Sequence, residues 1–240
     1  MAARRKAADL VRAGRVRVDG KVVTQPGLPV DPDKSRVEVD GRRVRPQAKR
    51  YLMLNKPCGP LSTAADDRGR PTVLDLLGDR EERLYPAGRL DADTEGLLLI
   101  TNDGDLTYRL THPRHEVEKV YEAEVEGTPS AAALRKLEQG ILLDDGFTGT
   151  SRARLLRVGD ESTLLELTVH AGRKRMVRRM LAAVGHPVLA LRRTRVGPLT
   201  LGKLRPGRHR ALTEEEVAAL KAYAERATAS AEEAAAQNQN

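Results

Sequence analysis

The chain has 240 residues, 40% hydrophobic and 32% charged, with a net charge of +8, five His and a single Cys. These numbers exclude an internal disulfide, leave no His/Cys set for a zinc site, and contain no apolar run near the ~18 residues of a membrane helix. One Cys fits a reducing, cytoplasmic setting, and the opening Met1-Ala-Ala-Arg-Arg-Lys6 has no apolar segment behind it, so it does not read as a secretory signal.

The charge is segregated. Residues 1–50 carry a net +8, residues 51–169 a net −8, and residues 170–212 a net +12 without one Asp or Glu. Two basic surfaces around an acidic middle point to a polyanion gripped at two places.

In chain order, residues 3–13 read as a short basic helix stopped by Gly14. Two Asp-Gly pairs, Asp19-Gly20 and Asp40-Gly41, each lie between alternating Val positions and predict two-residue hairpins. Residues 45–50 are a polar, Pro-containing joint. A strand over 51–55 follows, then the rigid turn Lys56-Pro-Cys-Gly-Pro60, then a loop over 67–77 running into a short helix. Next comes a polar cluster, Arg89, Asp91, Asp93 and Glu95, backed by the apolar run Leu97-Leu-Leu-Ile100. The run predicts a buried strand feeding a hairpin turn at Asn102-Asp-Gly104, with a helical turn over 105–110. Downstream, strands are predicted over 116–126, 164–170 and 188–196, and a hairpin around Asp144-Asp-Gly146. Helices are predicted over 131–139, 173–184 and 214–227, followed by a disordered Ala/Glu-rich tail. The fold class is α+β with a mainly antiparallel sheet, divided into a small module (1–46), a larger domain (50–220) and a polar tail (221–240).

The residues alone leave the chemistry of the polar cluster open. Asp91-x-Asp93-x-Glu95 imitates the start of a calcium loop, but the twelfth position is Asn102 instead of a bidentate acid. Paired carboxylates also suit glycosidic acid/base work, and a purely structural loop is the third reading.

Two resemblances bear on this choice. Residues 4–23 resemble the alpha-L RNA-binding module first known from a small-subunit ribosomal protein, which implies RNA contacts from Arg4, Arg5 and Arg15. That module normally carries one more helix ahead of this one, so its first helix is expected to be missing here. Gly88-Arg-Leu-Asp91-x-x-Thr94-x-Gly96 and the Leu-rich run after it resemble the catalytic signature of the RsuA/RluB branch of pseudouridine synthases. Asn55-Lys-Pro-x-Gly59 and Gly69-Arg-Pro-Thr-Val73 before it, and Lys119-Val-Tyr121, Gly172-Arg-x-Arg-x-Val-Arg-Arg-Met180, Gly185-His-Pro-Val188, Arg193-Thr-Arg-Val-Gly-Pro-Leu199 and Leu204-x-Pro-Gly207 after it, stand in the family's order. Met176 stands where the family usually has Gln, and Ala171 where Glu is common.

The resemblance implies isomerisation of a uridine in ribosomal RNA, in the 23S RNA of the large subunit, by a cofactor-free cytoplasmic monomer. The small-subunit RNA is the alternative target, and a non-catalytic RNA-binding or assembly protein is the alternative of another class. It also implies roles. Asp91 is the catalytic carboxylate, Arg178 its paired cation, and Tyr121 stacks on the base. Arg89 fills the space left by the flipped uridine, and Lys56 orients the loop or binds phosphate. Arg173, Arg175 and Arg179 belong to the basic RNA-facing segment. Asp93 and Glu95 are left as loop structure or surface.

Overall fold

The structure is a computed structural model that describes residues 4–31, 34–78 and 82–237, with the side chains of Arg4, Arg5 and 231–237 outside the description. It divides into two units, residues 1–48 and 49–240.

The small unit holds helix α1 (Arg4–Arg12) and strands β1 (Val16–Val18), β2 (Lys21–Val23), β3 (Val37–Val39) and β4 (Arg42–Arg43), in the order β2-β1-β3-β4. Both Asp-Gly hairpins form. Asp19-Gly20 and Asp40-Gly41 all have positive φ, as a two-residue primed turn requires. Asp40 also accepts two hydrogen bonds from Arg15, at 2.8 and 2.6 Å, so this expected RNA contact is engaged inside the unit.

The large unit is built on a nine-stranded sheet. Its strands are β5 (Tyr51–Lys56), β6 (Tyr85–Ala87), β7 (Glu95–Thr101), β8 (Lys119–Glu126), β11 (Arg152–Val158), β12 (Ser162–Val169), β13 (Val188–Val196), β14 (Leu199–Thr200) and β15 (His209–Ala211). Between β8 and β11 lie helix α3 (Ala131–Gln139) and a separate hairpin, β9 (Leu142–Leu143) with β10 (Gly146–Phe147). Along the main path the order is β11-β12-β8-β13-β7-β5-β15. Only the β13–β7 pair is parallel, so the sheet is mainly antiparallel. Strand β7 sits inside the sheet, with Leu97 to Ile100 all buried, which explains its continuous apolar run. One core layer forms around Leu98, Ile100, Leu165 and Met180. The other forms around Leu97, Leu99, Leu110 and Leu220.

Gly96 permits the parallel contact. It has φ +108°, and an added Cβ would lie 2.6 Å from the Arg193 nitrogen and collide with the Arg193 carbonyl. The start of β7 is thereby pressed against β13.

Three sequence expectations change. The run after Ile100 does not close in a hairpin turn. Asp103 accepts a hydrogen bond from the Leu106 amide at 3.3 Å and caps helix α2 (Gly104–Thr111) instead. Helix α4 (Met176–Ala183) begins later than residue 173, because Arg175 adopts a left-handed conformation ahead of it. The C-terminal segment is not a loose tail from 221. Helix α5 (Glu214–Gln237) runs on past residue 227, with Leu220 and Ala224 fully buried and the Tyr223 hydroxyl accepting from the Glu118 amide at 3.2 Å. Its Ala and Glu content has high helix propensity, and its apolar stripe finds a core to cover.

Candidate active site

A cavity of about 390 Å³ opens on one face of the large sheet. Arg89 and Asp91 come to it from the loop between β6 and β7, Lys119 and Tyr121 from β8, and Arg193 from β13. Strand alternation explains the grouping. Lys119 and Tyr121 share a face, and Arg193 lies directly across from Tyr121 in the antiparallel pair. Tyr121 is only 8% exposed, at the edge of the hydrophobic core, so one part of its ring packs and another faces the cavity. Arg89 is exposed and makes no ion pair among the described residues. The Asp91 carboxylate likewise accepts no hydrogen bond from any described side chain, while its main-chain oxygen accepts from the Thr94 amide and from Lys56. The carboxylate is left open and the backbone is fixed.

Lys56 does the fixing. It is wholly buried, and its Nζ donates to the carbonyls of Pro57 (2.9 Å), Asp91 (3.1 Å), Ala92 (3.4 Å) and Thr94 (3.0 Å). Burial pushes its pKa down, against the raising charges of Cys58, Asp93, Glu95 and Asp91. The expected phosphate contact by Lys56 is therefore corrected, since a fully covered ammonium already spread over four carbonyls cannot reach RNA. It holds the loop.

The expected pairing of Arg178 with Asp91 is also corrected. Arg178 donates to the Asp93 main-chain oxygen at 2.6 Å and to the Val188 carbonyl, and its Nε lies 3.4 Å from the Asp93 carboxylate. Arg175 donates to the same carboxylate at 2.8 Å. Asp93 thus clamps α4 to the Asp91 loop, which the sequence reading placed outside the chemistry as loop structure. Burial raises the Asp93 pKa, but the Arg175 hydrogen bond and the Arg178 charge outweigh it, and the net shift is downward. A depressed carboxyl keeps its ion pairs above the ordinary value near ~4 and loses them only as pH falls through the native value, so the clamp stays closed at neutral pH. Asp93→Asn is expected to lower the turnover rate about tenfold while costing about 1 kcal/mol or less of stability, because the carboxylate is half exposed. Single-turnover rates beside urea unfolding check this.

The other expected RNA-facing arginines are similarly engaged. Arg173 lines the cavity but donates to the Asp145 and Gly146 carbonyls, and Arg179 forms a two-point contact with the Asp145 carboxylate at 2.7 and 2.8 Å. Arg179 secures the β9–β10 hairpin to α4 and Arg173 secures it to the segment ahead of α4, and Arg179 does not line the cavity. Segment 170–212 does not supply one basic wall either. Arg192 and Arg195 point to the opposite face, into a groove of about 480 Å³ that they share with Glu122 and Glu166. Ala171 and Met176, the two departures from the family pattern, both line the cavity.

The sequence reading missed Lys119 and Arg193 as site residues. Burial and the nearby Arg193 charge bring the Lys119 pKa down to about 8. Arg193 is 4% exposed and fixed by a 2.9 Å bond from its Nε to the Leu97 carbonyl. The period-two alternation from Tyr121 back to Lys119 was a usable signal. Arg193 opens one of the matched stretches, Arg193–Leu199, but its meeting with Tyr121 depends on strand order.

Residues 50–183 match the family model described as RNA pseudouridylate synthase, and residues 1–35 match the S4 domain. The chain belongs to the RNA pseudouridine synthase family. The synthase is 48% identical over 221 residues to an uncharacterized RNA pseudouridine synthase of Aquifex aeolicus (92% of this chain, 89% of the other). It is 44% identical over 227 residues to the ribosomal large subunit pseudouridine synthase B of Bacillus subtilis (94% of this chain, 93% of the other). A crystal structure of a pseudouridylate synthase superposes with a TM-score of 0.66 at 30% identity, covering 91% of this chain and 94% of that one. The synthase is an RNA-binding isomerase, and its cavity of about 390 Å³ falls within the range of ligand-binding pockets. No described helix is long and apolar enough to cross a membrane.

Proposed function

We propose that the enzyme isomerises a specific uridine of large-subunit ribosomal RNA to pseudouridine, with Asp91 as the catalytic carboxylate and without a cofactor. The observation that carries this reading is Asp91 itself. Its carboxylate is unpaired among the described residues and faces a cavity walled by Tyr121, on a loop whose backbone Lys56 holds rigid. A nucleophile or base needs a free oxygen in a fixed place, and this arrangement supplies both.

The reaction exchanges a C1′–N1 bond for a C1′–C5 bond within one nucleotide. It has no redox or hydrolytic step, so side chains suffice. Tyr121 supplies a face for the base, and stacking of this kind is worth about 1–3 kcal/mol. The uncommitted Arg89 guanidinium at the rim suits the space vacated when the uridine leaves its stack. Near full-length similarity to the Bacillus subtilis large-subunit enzyme supports the choice of subunit.

Purified protein incubated separately with unmodified large- and small-subunit RNA, followed by carbodiimide mapping, tests the target. One modified uridine in the large-subunit RNA is expected. Modification confined to small-subunit RNA contradicts the assignment. RNA affinity is also expected to fall about 10³-fold or more between 50 and 200 mM salt if six or more phosphates are contacted. A flat response in a salt titration contradicts electrostatic binding of RNA.

A further inference from the structure

We propose that Lys119 and Arg193 form a cationic floor that grips the uracil ring after its bond to ribose has broken. The proposal rests on the cavity being the uridine site.

The two residues are diagonal neighbours: Arg193 pairs across the strands with Tyr121, Lys119 pairs with Val196 two residues along on the same face as Tyr121, and both line the same cavity close enough for the Arg193 charge to act on Lys119. Both line the cavity, and neither has an acidic partner within ion-pair distance among the described residues. Arg193 spends only its Nε, on Leu97. Its two terminal nitrogens make no hydrogen bond to a described residue, and they are not among the sealed, unpartnered polar atoms. Lys119 donates to the Val117 carbonyl at 2.8 Å and more weakly to the His170 carbonyl at 3.5 Å, leaving one N–H uncommitted. Two like charges held together in a covered site are unfavourable unless an anion or strong acceptor enters between them.

The reaction supplies such a group. When C1′–N1 breaks, its electron pair stays on the ring and spreads over N1, O2 and O4. The ring then turns, C5 bonds to C1′, the C5 proton leaves and N1 takes up one proton, so nothing is gained or lost overall. Between those steps the ring carries negative charge. Fixed cations aimed at its oxygens stabilise that charge and retain the ring. Depth selects the base over an RNA phosphate. Arg193 is almost wholly covered on the sheet, where a flipped base reaches furthest, whereas Arg89 stands exposed at the rim.

The test uses the full-length protein and an RNA fragment carrying the mapped uridine. Single-turnover rate, RNA affinity and free uracil are measured for wild type, Lys119→Met, Lys119→Arg, Arg193→Lys and Asp91→Asn. For Lys119→Met the rate at saturating protein is expected to fall about 100-fold with affinity within threefold of wild type, and free uracil is expected among the products. Lys119→Arg is expected to restore at least tenfold of the rate. Arg193→Lys keeps the charge and is expected to lose less than Lys119→Met. An affinity loss of tenfold or more at an unchanged saturating rate identifies a phosphate site and overturns the proposal. An unchanged rate, or no uracil above the wild-type level, also overturns it. Asp91→Asn should bind RNA and release no uracil. Bond cleavage by that variant contradicts the role of Asp91, while the Lys119→Met rate and affinity still decide the floor.

Discussion

Asp91→Asn is expected to lower the single-turnover rate by at least about 10³-fold while leaving RNA affinity and thermal stability near wild type. The reasons are local. The substitution keeps the side-chain shape and removes only the charge and one acceptor. No described side chain bonds to the Asp91 carboxylate, so nothing in the fold loses a partner. The contacts that place residue 91, from Thr94 and Lys56, go to its main chain and survive. Surface-type substitutions without lost partners usually fall within ±0.5 kcal/mol, so unfolding should barely move. Parallel measurement of rate, affinity and unfolding separates this from a loop that has collapsed. A large stability loss contradicts the open carboxylate.

Lys56→Met is expected to do the opposite, damaging both stability and activity. The ammonium is the common partner of four carbonyls in two segments, Pro57 on one side and Asp91, Ala92 and Thr94 on the other. Methionine fills the volume and satisfies none of them. The Asp91 and Ala92 carbonyls keep their bonds from the Thr94 and Gly59 amides, so the Pro57 and Thr94 carbonyls are the two that lose their donor. Leaving a buried acceptor unpaired costs about 1–3 kcal/mol per group where water cannot replace the donor, so a net loss of about 2–4 kcal/mol is expected. Activity should fall about 100-fold because the carboxylate is no longer held in place. Hydrogen exchange is the discriminating readout. Amides around residues 91–94 should lose protection while those of β8 and β12 keep theirs. Unchanged protection in the loop contradicts the role given to Lys56.

These two substitutions also mark what was legible in the sequence. The Leu97–Ile100 run announced a buried strand, and it is one because β5 pairs along one side of it, β6 joins at Leu99 and Ile100, and core layers cover both faces. The Asp-Gly pairs announced hairpins because few other dipeptides tolerate positive φ twice. The motif order gave Asp91, Arg89 and Tyr121, and all three line one cavity. Pairwise partners were less legible. Arg178 and Asp93 are 85 positions apart, and whether a guanidinium meets Asp91 or Asp93 depends on where a loop crosses a helix. Lys56 stayed between orienting the loop and binding phosphate because burial of a lysine cannot be read from its neighbours. The basic segment looked like one wall because counting charges ignores that successive strand residues face opposite sides, as Arg192 and Arg193 do. Asp103-Gly104 looked like a hairpin turn because the same residues also cap helices.

The claim that Asp91 performs the isomerisation is tested most directly in cells lacking the gene, complemented with wild type or Asp91→Asn at equal protein levels, by carbodiimide mapping of their ribosomal RNA. Wild type is expected to restore pseudouridine at one large-subunit position and Asp91→Asn to leave that uridine unmodified. Full restoration by Asp91→Asn would contradict the account.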